Sequence, residues 1–64
     1  MNTTPDKFVK RMRNFKVYGE NRHTGNREFL GTMVLICYPL GGLVQARKVF
    51  KNLAKKIEVQ EFCQ

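Results

Sequence analysis

The stretch from Arg27 to Ala54 most constrains what this chain can fold into. It holds the longest apolar run (Met33 to Cys37), a break at Pro39, Gly41 and Gly42, and the one long segment with helical spacing. Proline cannot donate to a sheet ladder, so a strand ends at Pro39. Beyond it, Leu43, Ala46, Phe50, Leu53 and Ala54 recur at 3.6 spacing with Val49 at the margin, which predicts a helix over 42–55. Gly41-Gly42 opens that helix without a good N-cap. Arg47, Lys48, Lys51 and Lys55 fall on its outward side, where late cations suit the C-terminal dipole.

The strand before Pro39 carries apolar residues on both faces. Strict alternation puts Phe29, Met33, Leu35 and Cys37 on one side and Leu30, Val34, Ile36 and Tyr38 on the other. A strand of this kind is either central and covered twice, or its second face meets another chain. Within the chain, the N-terminal segment, through Phe8 and Met12, is the expected cover.

Residues 14–21 alternate Phe15 and Val17 against Lys16 and Tyr18, and His23-Thr24-Gly25-Asn26 supplies turn residues. Residues 14–38 therefore read as a β-hairpin. Ile57 and Val59 alternate with Glu58 and Gln60, making 56–62 a last strand. Thr4-Pro5-Asp6 suits a helix start, so 1–13 reads as a basic N-terminal helix or arm. The sum is one domain over 1–64, an α+β fold. It is a small two-layer β-β-α-β domain, with one helix packed on a three-stranded, mostly antiparallel sheet and room for a short N-terminal helix. If the last strand pairs with the first, the apolar strand from Arg27 to Tyr38 becomes an edge, a pairing hazard unless a second subunit covers it. If the chain forms a homodimer, that strand is its seam.

Sixty-four residues leave no room for a second core. The chain carries twelve Lys plus Arg against five Asp plus Glu, a net charge of +7. Lys7, Lys10, Arg11, Arg13 and Lys16 form one basic cluster; Arg47, Lys48, Lys51, Lys55 and Lys56 form another. So strong a field on so small a body attracts nucleic acid or acidic protein surfaces, although a merely soluble surface also accounts for part of it. Two cysteines are too few for a disulfide-stapled scaffold. No run approaches the roughly 20 apolar residues of a membrane span. The opening residues do not resemble a signal peptide, and the expectation is a cytoplasmic protein without disulfides.

The catalytic inventory is thin. There is no serine, one histidine (His23) and one aspartate (Asp6). His23 in the turn and Cys37 at the far end of a strand lie too far apart for a nucleophile-base pair. Two Cys and one His fall short of a zinc set, so neither metal nor cofactor is expected. Glu20 and Glu28 can face each other across the hairpin, but near a solvated turn they more readily meet Arg22 and Arg27. Gly41-Gly42 can cradle an anion at the helix start, though a tight connection explains the pair equally well. Tyr18, Tyr38 and Phe62 fall out of phase with the core. They form either a base-stacking face beside Lys16 or a second small core.

In length and β-β-α-β order the chain resembles the small RNA polymerase inhibitors of T7-like phages. The likeness is one of architecture without a shared motif, so no residue roles carry over. It implies a non-enzymatic inhibitor or modulator, acting in the cytoplasm of the host if phage-encoded. Such a protein would dock its basic residues (Lys7, Lys10, Arg11, Arg13, Lys16, Arg47, Lys48, Lys51, Lys55) on an acidic host protein of the nucleic-acid machinery. The alternative is direct nucleic-acid binding, largely through the backbone.

Overall fold

The structure, a computed structural model, describes residues 4–63. A single 3-10 turn at Asp6–Phe8 is followed by strands β1 (Arg11–Asn21) and β2 (Arg27–Cys37), helix α1 (Gly41–Phe50) and strand β3 (Ala54–Phe62). The sheet order is β2-β1-β3 and both pairings are antiparallel. The chain is thus a small α+β domain, with one helix on one face of an open three-stranded sheet. β2, apolar on both faces, is an edge strand.

β1 supplies the centre of the core. Arg13, Phe15, Val17 and Gly19 are all buried on the face beneath the helix. Val17, Ala46, Ala54 and Ile57 form the core cluster, with Leu30, Met33, Leu43, Phe50 and Val59 packed against it. Each large apolar side chain fully buried here contributes roughly 1.5–3 kcal/mol relative to exposure. The paired glycines of the 39–42 break serve this packing. A Cβ on Gly42 would stand 2.5 Å from the Phe15 ring, and one on Gly41 would stand 2.9 Å from the Cys37 Cβ. The helix start lies directly on an aromatic ring, so the tight-connection reading of Gly41-Gly42 accounts for both.

Three expectations need correction. α1 ends at Phe50 rather than at residue 55, because Lys51–Leu53 turn the chain back so that Ala54 can pair with Asn21. Ala54 keeps its inward place as the first residue of β3, whereas Leu53 and Val49 are exposed and leave the apolar stripe. Secondly, the short helix or arm expected over 1–13 is, among the described residues, a single 3-10 turn at Asp6–Phe8, and residues 11–13, Met12 among them, already belong to β1. The Asp6 side chain reaches Arg11 and Arg13 instead of a backbone N–H, and Val9 is already extended. Residues 1–3 of that expected segment lie outside the described residues.

Thirdly, strict alternation fails along β2. Val17 pairs with Gly31 but Tyr18 pairs with Phe29, so Leu30 is an extra residue in a β-bulge. Gly31 takes a φ of 152°, which L side chains rarely adopt. The bulge exchanges the faces of two residues. Leu30 turns in to the core, and Phe29 turns out to meet Tyr18 edge-on at 5.5 Å between ring centroids.

Candidate binding surface

The two basic clusters of the sequence meet opposite fates. Arg13 is fully buried at the end of the sheet where β2 leads into α1. Its Nε donates to the Cys37 carbonyl (2.9 Å), and one terminal nitrogen donates to Asp6 Oδ2 (2.8 Å) and Glu61 Oε2 (3.0 Å). The other donates to the carbonyls of Asp6 (2.9 Å) and Val9 (2.6 Å). Arg11 reaches the same two carboxylates, each at 3.0 Å. Hydrogen bonds from Arg13 and then Arg11, outweighing a small desolvation penalty, hold Asp6 down at a pKa of about 2. The hydrogen bonds they donate to Asp6 in turn raise both guanidinium pKa values. Arg13 therefore offers no charge to a partner, which corrects its place among the surface cations. Asp6 and Glu61 staple the N-terminal turn to the sheet, and they lie on the helix side because Arg11 and Arg13 do.

Of the remaining expected cations, Lys7 and Lys10 are exposed beside the N-terminal turn, with the Lys7 ammonium 5.1 Å from the centre of the Phe8 ring. Lys16 points from β1 to the opposite, open face and lies 5.2 Å over the Phe62 ring. Arg47, Lys48 and Lys51 stand exposed on or just after α1, which carries no acidic residue. Lys55 belongs to β3, 3.7 Å from Glu20.

Two depressions meet beside the helix. The larger, about 510 Å³, is mostly apolar, lined by Phe15, Leu40, Leu43, Ile57 and Val59 together with Arg47, Glu58 and Glu61. The smaller, about 280 Å³, is lined by Arg22, Arg47, Lys51, Lys55 and Lys56 over Ala54 and Ile57. Arg47 belongs to both. Leu40 and Val44 are exposed on the same side. Arg22 and Lys56 were not among the expected site residues. Their positions depend on strand order and on a second bulge, neither of which shows in residue spacing.

The open face of the sheet carries Met12 and Tyr18 from β1, Phe29, Val34 and Ile36 from β2, and Phe62 from β3. The N-terminal turn, on the helix side, does not cover it: Ile36 is 71% and Val34 59% exposed. The three expected aromatics do not assemble. Phe62 is level with Asn14, four residues from Tyr18 and so roughly 13 Å away, while Tyr38 lies beyond the end of β2. Tyr18 meets Phe29 instead, with the Arg27 guanidinium 5.6 Å over its ring.

His23 sits in the turn at one end of the hairpin and Cys37 pairs with Arg11 at the other. Glu20 faces Lys55 and Lys56, while Glu28 accepts hydrogen bonds from Asn21 and Thr24, so the two carboxylates are not a pair. Among the described residues no group of three His, Cys, Asp or Glu is placed to hold a metal ion, and no helix is long and apolar enough to cross a membrane. Comparison with known protein families, with characterised proteins and with solved structures returns no match.

Proposed function

We propose that this chain is a non-enzymatic binding protein of the phage-inhibitor kind, which docks its helix side on an acidic host protein of the nucleic-acid machinery. The observation that carries this reading is the junction at Arg47, where a mostly apolar groove, with Glu58 and Glu61 also in its lining, runs into a cluster of cations. A protein interface uses both parts, apolar anchors in a pocket for affinity and charges around it for steering and orientation. A nucleic-acid backbone would use the cations and leave Leu40, Val44 and the groove idle. In this account Lys48 and Lys51 steer the encounter, Arg47 orients it and the groove retains it.

The test is affinity capture from nuclease-treated host lysate. The reading expects a discrete acidic protein to remain bound after nuclease treatment; recovery that disappears with the nucleic acid overturns it.

One observation favours the second reading, direct nucleic-acid binding. On the open face Lys16 lies over Phe62 and Arg27 over Tyr18, and such cation-aromatic pairs suit stacked bases and their phosphates. It predicts micromolar or tighter binding of single-stranded DNA or RNA at physiological salt, with a steep salt slope. The edge position of β2 and its exposed Val34 and Ile36 also suit a homodimer seam. Sedimentation showing only monomer at high concentration removes that proposal.

A further inference from the structure

The smaller depression has features that general attraction to acidic surfaces does not explain. β1 advances two residues from Tyr18 to Glu20 while β3 advances three between their partners, Glu58 and Lys55, which places one extra residue in β3. Lys56 sits at this bulge with a φ of 53°, the one positive φ at a non-glycine among the described residues. That conformation is unfavourable for a residue with a side chain. Consecutive strand residues normally point to opposite faces. Here both lysines reach one carboxylate, Lys55 at 3.7 Å and Lys56 at 3.5 Å from Glu20.

The other wall is equally organised. The Arg22 backbone N–H donates to the Leu53 carbonyl (3.0 Å) and its Nε to the Lys51 carbonyl (2.9 Å). The second bond fixes the guanidinium plane and leaves the terminal nitrogens without a partner among the described residues. Arg47 and Lys51 complete the cleft, with no acidic group within 4.0 Å among the described residues. Five cations thus surround a depression of about 280 Å³, and among the described residues Glu20 is the one carboxylate within 4.0 Å of any of them. Like charges gathered around one depression repel one another, and a bound anion offsets that repulsion.

We propose that this cleft is a phosphate-binding site, for a phosphate group carried free or on a nucleic-acid strand. A phosphate suits it better than a single carboxylate for two reasons. It bears more charge, and its several oxygens can take a planar guanidinium bidentately together with point-charge lysines. Arg22 and Arg47 supply the forks; Lys51, Lys55 and Lys56 close around the remaining oxygens. Glu20 holds the two strand lysines in place while the site is empty of phosphate. The inference does not depend on the docking reading, since it concerns a small anion and the purified protein alone.

The experiment titrates the full chain with pyrophosphate, with a short oligothymidylate and with a polyglutamate peptide, following backbone amide shifts by NMR. Lys51→Gln and Lys48→Gln remove the same charge, but only Lys51 lines the cleft. The site predicts shifts centred on Arg22, Lys51, Lys55 and Lys56. It also predicts about tenfold weaker phosphate binding in Lys51→Gln, less than about twofold change in Lys48→Gln, and tighter binding in Glu20→Gln. Pyrophosphate binding with this pattern identifies a free phosphate. The same pattern with the oligonucleotide alone identifies a strand. Equal loss in Lys48→Gln and Lys51→Gln overturns the proposal, because attraction is then diffuse. Absence of binding by either phosphate probe overturns it, as does polyglutamate binding as tightly with the same pattern.

Discussion

Arg13 and Arg47 are the same residue type in clusters that look alike on paper, yet one is built into the fold and the other is left for use. Arg13 has Asp6 and Glu61 brought to it by the N-terminal turn and by the pairing of β1 with β3, and its donors also meet three backbone carbonyls. Among the described residues Arg47 makes no ion pair: α1 has no acid, and Glu58 and Glu61, which line the same groove, pair instead with Arg27 and with Arg11 and Arg13. The difference teaches that net charge belongs to topology as much as to composition. Asp6 and Glu61 neutralise Arg11 and Arg13, whereas Arg47, Lys48 and Lys51 stand exposed on the helix side; Lys7 and Lys10 flank the N-terminal turn and Lys16 lies on the open face.

Replacing each arginine in turn is the strongest way to break this comparison. Arg13→Ala strands two carboxylates and several carbonyls, and its thermal midpoint should fall by more than about 10 °C, where Arg47→Ala should shift by less than about 4 °C. Similar melting curves for the two variants contradict the distinction. A smaller effect sharpens the packing side of the argument. Gly42→Ala must push the new methyl against the Phe15 ring, and about 1–3 kcal/mol of stability should be lost in chemical denaturation. An unchanged midpoint would mean that the helix start shifts off the ring freely.

The acid limb separates the clusters again. The folded pKa of Asp6, about 2, lies below the ordinary 3.8, so its ionised form is favoured by folding. The stability it contributes is complete above about pH 4 and drains away as pH falls towards 2. The difference in thermal midpoint between the natural chain and Asp6→Asn should therefore be constant from neutrality to about pH 5 and vanish near pH 2. Variants of Arg47 and Lys51, which do not touch Asp6, should keep the same Asp6-dependent acid limb as the natural chain.

Residue spacing shows much of the fold and less of the surface. The alternation of Phe15 and Val17, the apolar run ended by Pro39 and the 3.6 spacing from Leu43 identify two strands and a helix in order. Two single-residue bulges then defeat the reading of faces. One extra residue at Leu30 turns Phe29 outwards, and another near Lys56 aligns adjacent lysines. Period-2 patterns carry no signal for a bulge beyond glycine, and only Gly31 gave one. Arg13 was misplaced for a different reason. Its partner Glu61 lies at the far end of the chain, and nothing local to residues 11–16 discloses that β3 returns beside β1. The cleft needs both pieces of information, which is why Arg22 was not singled out and Lys56, though counted in the second basic cluster, was left out of the expected docking residues.

The central claim is that the helix-side cations are the surface the protein uses, while Arg11 and Arg13 serve the fold. The most direct measurement is capture from nuclease-treated lysate with three baits: the natural chain, Lys48→Glu/Lys51→Glu and Arg11→Gln. The account predicts that the double reversal keeps its fold and loses the retained protein by at least about tenfold, while Arg11→Gln, if it remains folded, retains it. Undiminished capture by the double reversal, with a native melting curve, would contradict the account.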